Sequence, residues 1–391
     1  MIEAPVTGDV VSWALDRAEL SVEQIAKRLK VAPETVNQWV SEDAHPTLHQ
    51  AEKLAHQCHV PFGYLFLSTR PQEPFPLPDL RTIAIRPITN PSISFVEVVQ
   101  DALRKQDWYR EYMENEGAAP LPFVGRFSTN DDVAKIAADI RNVMGIDDNL
   151  RKAADNWEDF LGLLARQAED AGNLVLRNSY VGGNTKRSLE TEEFRGFALV
   201  DQMAPVIFVN TNDWKSAQIF TLAHELAHIW IGESGVSNLD YGLRSSAQRV
   251  VVDRVCDRIA AETLVPALEF GSAWDQRMDI GWNLEKLGFS FKVSQFVILR
   301  RAHENGLIND NEFRIYREEL NTRDRPKTPS NKKRGGDFYR NLPIRNSRLF
   351  TATLLSAARA GNVSYRTAAR LLSVNPPVLS TAYRKLLESG V

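Results

Sequence analysis

Two histidines and a glutamate within residues 218–230 have the types and spacing of a metal-dependent catalytic site. The stretch contains His224-Glu225-Leu-Ala-His228 and has the pattern of a helix. Residues four apart lie on one helical face, so His224 and His228 can bind one Zn²⁺ together. Glu225 lies one position round the helix, within reach of a water at that metal. The alternative is that both histidines are packed or solvated, because so short a motif also arises by chance.

A hydrolytic zinc site needs a third protein ligand and an open fourth position. The next predicted helix offers Asp253 and Asp257, which are four residues apart and share a face. One carboxylate can bind the metal, and the other can accept the free N–H of a ligating histidine. The spacing does not say which carboxylate does which. The alternative for both is a solvated acid paired with a neighbouring arginine.

Three short apolar segments before this helix are predicted to be strands. They comprise residues 173–177, 194–200 and 205–210. A small sheet here suits a peptidase, because an edge strand can hold an extended substrate by strand addition. The alternative is that these strands form only the core.

Residues 10–67 are predicted to form a compact helical unit. Ser21 begins one helix, and Pro33 begins a second after a tight turn. This helix-turn-helix pattern resembles the Xre (lambda-repressor-like) family, with Thr35, Asn37 and Gln38 as candidates for contacts to base edges. Residues 1–69 contain five Lys/Arg and nine Asp/Glu, a net charge of −4. Because phosphate contacts supply most non-specific affinity, we expect weak DNA binding by a monomer, and a protein-docking role is the alternative.

Charge, cysteine content and the lack of long apolar runs limit which class of protein this can be. The 391 residues carry a net charge of −3, which predicts no global attraction to nucleic acid or anionic membranes. The two cysteines, Cys58 and Cys256, imply no disulfide framework. Neither a signal peptide nor an apolar run long enough for a membrane span is present, so we expect a cytoplasmic protein.

Periodicity and linker composition predict a multidomain, mostly α chain with an N-terminal all-α helix-turn-helix and an α+β zincin-like peptidase domain. The predicted segments are a helix-turn-helix domain (1–69), a proline-rich linker (70–82), a helical region (83–172), the peptidase domain (173–320), a basic linker (321–336) and a C-terminal helical unit (337–391).

The peptidase segment resembles the ImmA/IrrE family of metallopeptidases. The resemblance rests on His224-Glu-Leu-Ala-His228, on the later Asp253-x-x-Cys-Asp257-x-x-Ala-Ala-x-x-Leu-Val-Pro266, and on Phe194-Arg-Gly-Phe-Ala-Leu upstream. It implies that Asp253, the first acid of the second motif, is the third zinc ligand. The family usually has Glu at this position, so the shorter Asp253 is a departure that leaves Asp257 as the alternative ligand.

The resemblance implies a zinc endopeptidase that cleaves a repressor or a cognate partner, in stress response, mobile-element regulation, toxin–antitoxin pairs or phage defence. Zinc would be held by His224, His228 and Asp253, with Glu225 as the general base. Tyr241 and Arg195 are candidates for stabilising the oxyanion. The alternative is a transcriptional regulator or antitoxin-like protein with a non-catalytic zinc site. Expected partners are a protein substrate or regulatory partner, operator DNA bound through residues 21–41, and a second copy of the chain, because Xre modules often dimerise.

Overall fold

The computed structural model describes residues 3–18, 20–71, 91–237, 247–323 and 337–388. The chain divides into two compact units. The first comprises Met1–Pro78 with Asn90–Val96, and the second comprises Asp79–Thr89 with Glu97–Val391.

Up to residue 71, the described part of the first unit contains four short helices and a short 3-10 helix. In chain order these are α1 (Gly8–Arg17), α2 (Val22–Leu29), α3 (Pro33–Val40), α4 (Leu48–Gln57) and the 3-10 helix Phe62–Phe66.

Local signals set the bounds of the two central helices. Ser21 caps α2 in a capping box with Gln24, and Pro33 occupies the first turn of α3. Lys30 ends α2 in the left-handed conformation. Val36 and Trp39 of α3 are buried in one core with the apolar face of α2. The predicted helix-turn-helix is therefore confirmed.

The second unit begins with four helices, the first of which extends from the end of the first unit. They are α5 (Ile93–Asn115), α6 (Val133–Met144), α7 (Asp148–Lys152) and α8 (Trp157–Asp170).

A four-stranded sheet follows, in the order β1-β3-β2-β4. The strands are β1 (Leu174–Asn178), β2 (Gly196–Leu199), β3 (Val206–Asn210) and β4 (Gly235–Ser237). β1 and β3 are parallel, and the other two pairs are antiparallel. Three strands were predicted within two residues of their bounds. β4 was missed because three residues carry no usable alternation.

Two long helices and a set of shorter ones follow in the described part of the chain. They are α9 (Lys215–Ile231), α10 (Ala247–Leu264), α11 (Ala267–Ala273), α12 (Ile280–Phe291), α13 (Gln295–Glu304) and α14 (Asp310–Arg323). α9 packs on β2, β3 and α10. Every residue of α9 from Gln218 to Ile231 is buried. α9 is thus a central helix of the core, which agrees with its apolar composition.

The C-terminal helices pack on the sheet rather than standing apart from it. They are α15 (Phe338–Asn346), α16 (Arg348–Ala360), α17 (Tyr365–Leu371) and α18 (Val378–Glu388). α15 and α16 contact β1, the edge strand opposite β4. Ser347, between α15 and α16, donates its hydroxyl hydrogen to Glu169 Oε1 at 2.6 Å.

The proportion and arrangement of elements confirm the predicted mostly α, α+β fold class. In the described ranges, no helix is both long and apolar enough to cross a membrane. The predicted linkers at 70–82 and 321–336 fall mostly outside the described residues, and the predicted domain bounds remain predictions.

Candidate metal centre

The centre lies between α9 and α10, which cross against each other in the core. α9 supplies His224, Glu225 and His228, and α10 supplies Asp253 and Asp257. All five side chains are buried, and Asp253 is the most exposed at 8%. Two neighbouring helices with matched i, i+4 pairs therefore bring polar side chains together inside an apolar core.

His224, His228 and Asp253 converge on one point. The two Nε2 atoms are 3.2 Å apart, and His228 Nε2 is 3.5 Å from Asp253 Oδ1. One ligand atom from each of the three residues lies within 4.8 Å of the others. The structure thus brings together the three residues that the family resemblance implied as ligands.

The outward nitrogens of both imidazoles are held by acceptors. His224 Nδ1 donates to Asp257 Oδ1 at 2.9 Å, and His228 Nδ1 donates to the carbonyl of Glu233 at 2.8 Å. A carbonyl oxygen can only accept, so the hydrogen of a neutral His228 is on Nδ1, and the carboxylate favours the same tautomer in His224. Both Nε2 lone pairs then face Asp253. Asp257 thus contacts a histidine, whereas Asp253 faces the convergence point.

These residues fit a bound zinc ion. Two nitrogens each about 2.0–2.1 Å from a tetrahedral Zn²⁺ lie about 3.3 Å apart, close to the observed 3.2 Å. Two facing lone pairs repel each other unless a cation or a proton lies between them. Asp253 Oδ2 is buried and has no hydrogen-bond partner among the described residues, which is costly unless a cation compensates it.

The surroundings also favour a positive charge. Burial by itself lowers the pKa of His228, but interactions with Cys256, Asp253 and Glu225 outweigh it and raise that pKa well above its ordinary value. Burial raises the pKa of the Cys256 thiol. In the absence of metal, a proton on His228 would therefore supply the cation that this site favours.

Two glycines that sequence reasoning missed pack directly against the site. A Cβ on Gly235 of β4 would lie 2.4 Å from His228 Cε1, and a Cβ on Gly196 of β2 would lie 3.0 Å from Glu225 Oε1. Both glycines let strand backbone approach α9 closely. A glycine in a short strand signals such an approach only weakly, because it does not identify the partner.

The other predicted site residues have mixed placements. Arg195 Nη1 is 3.1 Å from Asp213 Oδ2, so this guanidinium is engaged in an ion pair. Tyr241 lies outside the described residues. On α3, Asn37 and Gln38 are exposed and Thr35 is half-buried.

Comparison with known families agrees with the site and with the first unit. Residues 168–303 match the IrrE N-terminal-like domain of the M78 peptidases, and residues 12–65 match a helix-turn-helix family. These matches have the order of an ImmA/IrrE-type domain behind an N-terminal Xre-type helix-turn-helix. No curated protein matches the chain.

Proposed function

We propose that this chain is a zinc-dependent endopeptidase that cleaves a regulatory protein. The observation that carries the proposal is the buried convergence of His224, His228 and Asp253 beside Glu225, within a domain that matches a peptidase family. Three protein ligands leave a fourth position for water or substrate, as hydrolytic zinc sites require.

In this proposal each buried side chain has a distinct role. His224, His228 and Asp253 hold the metal, and when bound, zinc supplies Lewis-acid polarisation of the scissile carbonyl and of water. Asp257 and the Glu233 carbonyl orient the two imidazoles through their Nδ1 hydrogens. Glu225 accepts the proton of the attacking water and delivers it to the leaving amine.

The sheet offers a way to bind an extended peptide. β4 follows α9 directly and pairs on one side with β2, and in the described part of the chain its other side has no paired strand. A substrate strand added there would run beside His228, because Gly235 packs on that imidazole. This placement favours a peptide substrate over a small molecule.

A regulatory substrate is inferred from the helix-turn-helix unit. A module of this class suits recruitment to operator DNA through residues 21–41 or to a DNA-bound repressor. The acidic balance of residues 1–69 disfavours strong monomeric DNA binding, so the protein partner is the first expectation. Roles in stress response, toxin–antitoxin pairs or phage defence are narrower forms of the same proposal.

The second candidate function is a regulator that binds DNA or a partner protein through the first unit and uses zinc without catalysis. The helix-turn-helix match favours it. The two candidates differ in whether any peptide bond is cleaved.

The test compares wild-type protein, Glu225→Gln and Glu318→Gln in an extract of the cells that make the protein. Glu318 is exposed on α14 and serves as the matched control. New protein N-termini, identified by labelling and mass spectrometry, should appear with wild type and Glu318→Gln and be absent with Glu225→Gln. Cleavage by Glu225→Gln at the wild-type rate would refute the mechanism. With zinc bound and no cleavage by any form, the second candidate would be favoured.

A further inference from the structure

A cleft of about 600 Å³ lies on the side of the sheet where the C-terminal helices pack. Its walls come from α8, β1 and the first turns of α9 on one side, and from α15 and the start of α16 on the other. This volume falls in the range of small-molecule sites. None of the metal-centre residues lines it.

The lining is rich in cations. Lysine and arginine side chains from every wall contribute to it, namely Arg166, Arg177, Lys215, Arg340, Arg345 and Arg348. The acidic lining residues are Glu158, Asp159 and Glu169. Burial raises the pKa of Glu169 to about 7, so this carboxyl carries only part of a negative charge near neutral pH. The cleft is therefore strongly positive.

Among the described residues, only one of these six cations forms a close ion pair, although Glu169 attracts Arg177 and Arg348. Lys215 pairs with Glu158 at 3.1 Å. Within the described ranges, the five arginines form no side-chain ion pair. Such a group of like charges repels itself and costs stability unless an anion compensates it. Three acids and one close ion pair for six cations leave an excess of positive charge, which points to an external anion.

Arg345 is held in place, but not all of its hydrogen-bond donors have an acceptor. Its Nη1 donates to the Tyr180 hydroxyl oxygen at 3.0 Å, and its guanidinium lies over the Tyr180 and Phe338 rings. Its Nε and Nη2 are buried and have no hydrogen-bond partner among the described residues. Two buried donors without an acceptor are costly, and a phosphate that accepts from them relieves that cost.

We propose that this cleft binds a small phosphorylated ligand of about nucleotide size. Arginine guanidinium groups match phosphate oxygens in pairs, and several of them together suit a ligand with more than one negative charge. Because the two walls belong to the peptidase region and to the C-terminal helices, the ligand also joins these two parts of the second unit. The proposal is independent of the metal centre.

The test is calorimetric titration of the full chain with inorganic pyrophosphate at constant ionic strength. Saturable binding is expected, with about a 10-fold loss of affinity in Arg177→Gln and in Arg340→Gln. Arg340 is exposed at the mouth of the cleft, so its replacement leaves folding intact and keeps the test informative if Arg177→Gln is unstable. Arg366→Gln, exposed on α17 outside the cleft, should bind like wild type.

Two further arms complete the design. Pyrophosphate also binds metal ions, so the titration is repeated on His224→Ala, where binding should be unchanged. Citrate, a polycarboxylate, should bind more weakly than pyrophosphate. No saturable binding at millimolar concentration, equal affinity in all arginine variants, loss of binding in His224→Ala, or tighter binding of citrate would each overturn the proposal.

Discussion

Replacing Asp253 and Asp257 separately by asparagine should weaken zinc binding to very different extents. Asp253 faces the convergence point with Oδ1 3.5 Å from His228 Nε2. Asp257 instead contacts the outward Nδ1 of His224 at 2.9 Å, and its other oxygen pairs with Arg300 Nη1 at 3.6 Å. If the roughly 10–16 kcal/mol of a structural zinc site is shared among four ligands, losing one costs about 2.5–4 kcal/mol. Asp253→Asn should therefore raise the dissociation constant about 100- to 1,000-fold.

The expected loss for Asp257→Asn is smaller. Partners of a ligating histidine contribute about 10- to 100-fold in metal affinity. The asparagine oxygen can still accept the His224 Nδ1 hydrogen. The expected loss of zinc affinity in Asp257→Asn is therefore about 10-fold. Competition with a fluorescent zinc chelator measures both dissociation constants. Asp253→Glu, with the acid usual in the family, is the control and should retain tight binding.

Equal losses in the two asparagine variants, or a larger loss in Asp257→Asn, would refute the assignment of the third ligand. Asp253 is assigned as the ligand only because it faces the Nε2 atoms, whereas Asp257 faces an Nδ1 atom. Such a result would show that this difference does not determine which carboxylate binds zinc.

Three further predictions concern packing and pH. Gly235→Ala should weaken zinc binding in the chelator assay because its Cβ would press on His228, whereas Gly271→Ala, which meets no atom within 4 Å, should not. Burial raises the pKa of Glu169 to about 7, so its contribution to stability should fall by about 3 kcal/mol as pH rises from 4.5 to 7, and denaturant melts of Glu169→Gln should lack that fall. Trp39→Ala should destabilise the first unit by about 3–5 kcal/mol in calorimetry, because Trp39 is 1% exposed, without changing zinc content.

Each of these predictions has a clear contrary result. Equal zinc affinity in Gly235→Ala and wild type would show that β4 does not press on the site. A Glu169→Gln variant with the wild-type pH dependence would assign that dependence to another group. Loss of zinc in Trp39→Ala would mean that the two units do not fold independently.

Local signals made the core of the site predictable. Helical periodicity alone brings His224 and His228 to one face of α9. It likewise brings Asp253 and Asp257 to one face of α10, independently of the rest of the fold. The N-cap residue Ser21 and the first-turn proline Pro33 likewise predicted where α2 and α3 begin. These features depend on neighbours within four residues.

The features that escaped prediction depend on contacts between distant parts of the chain. Both aspartates fit the spacing, and only the packing of α10 on α9 shows which imidazole nitrogen each one faces. β4 is too short to carry a pattern, so the contact of Gly235 with His228 had no signal. The packing of α15 and α16 on β1, and the arginine-lined cleft that results, join residues more than 150 positions apart.

The metal content of the purified protein decides whether His224, His228 and Asp253 form a zinc site. Mass spectrometry should find about one zinc per chain in wild type and in Glu225→Gln, since Glu225 is proposed to move protons rather than to bind metal. His224→Ala should contain none, because the convergence point loses one of its two nitrogens. Wild-type protein that takes up no zinc when zinc is supplied, or His224→Ala with the wild-type content, would contradict the account.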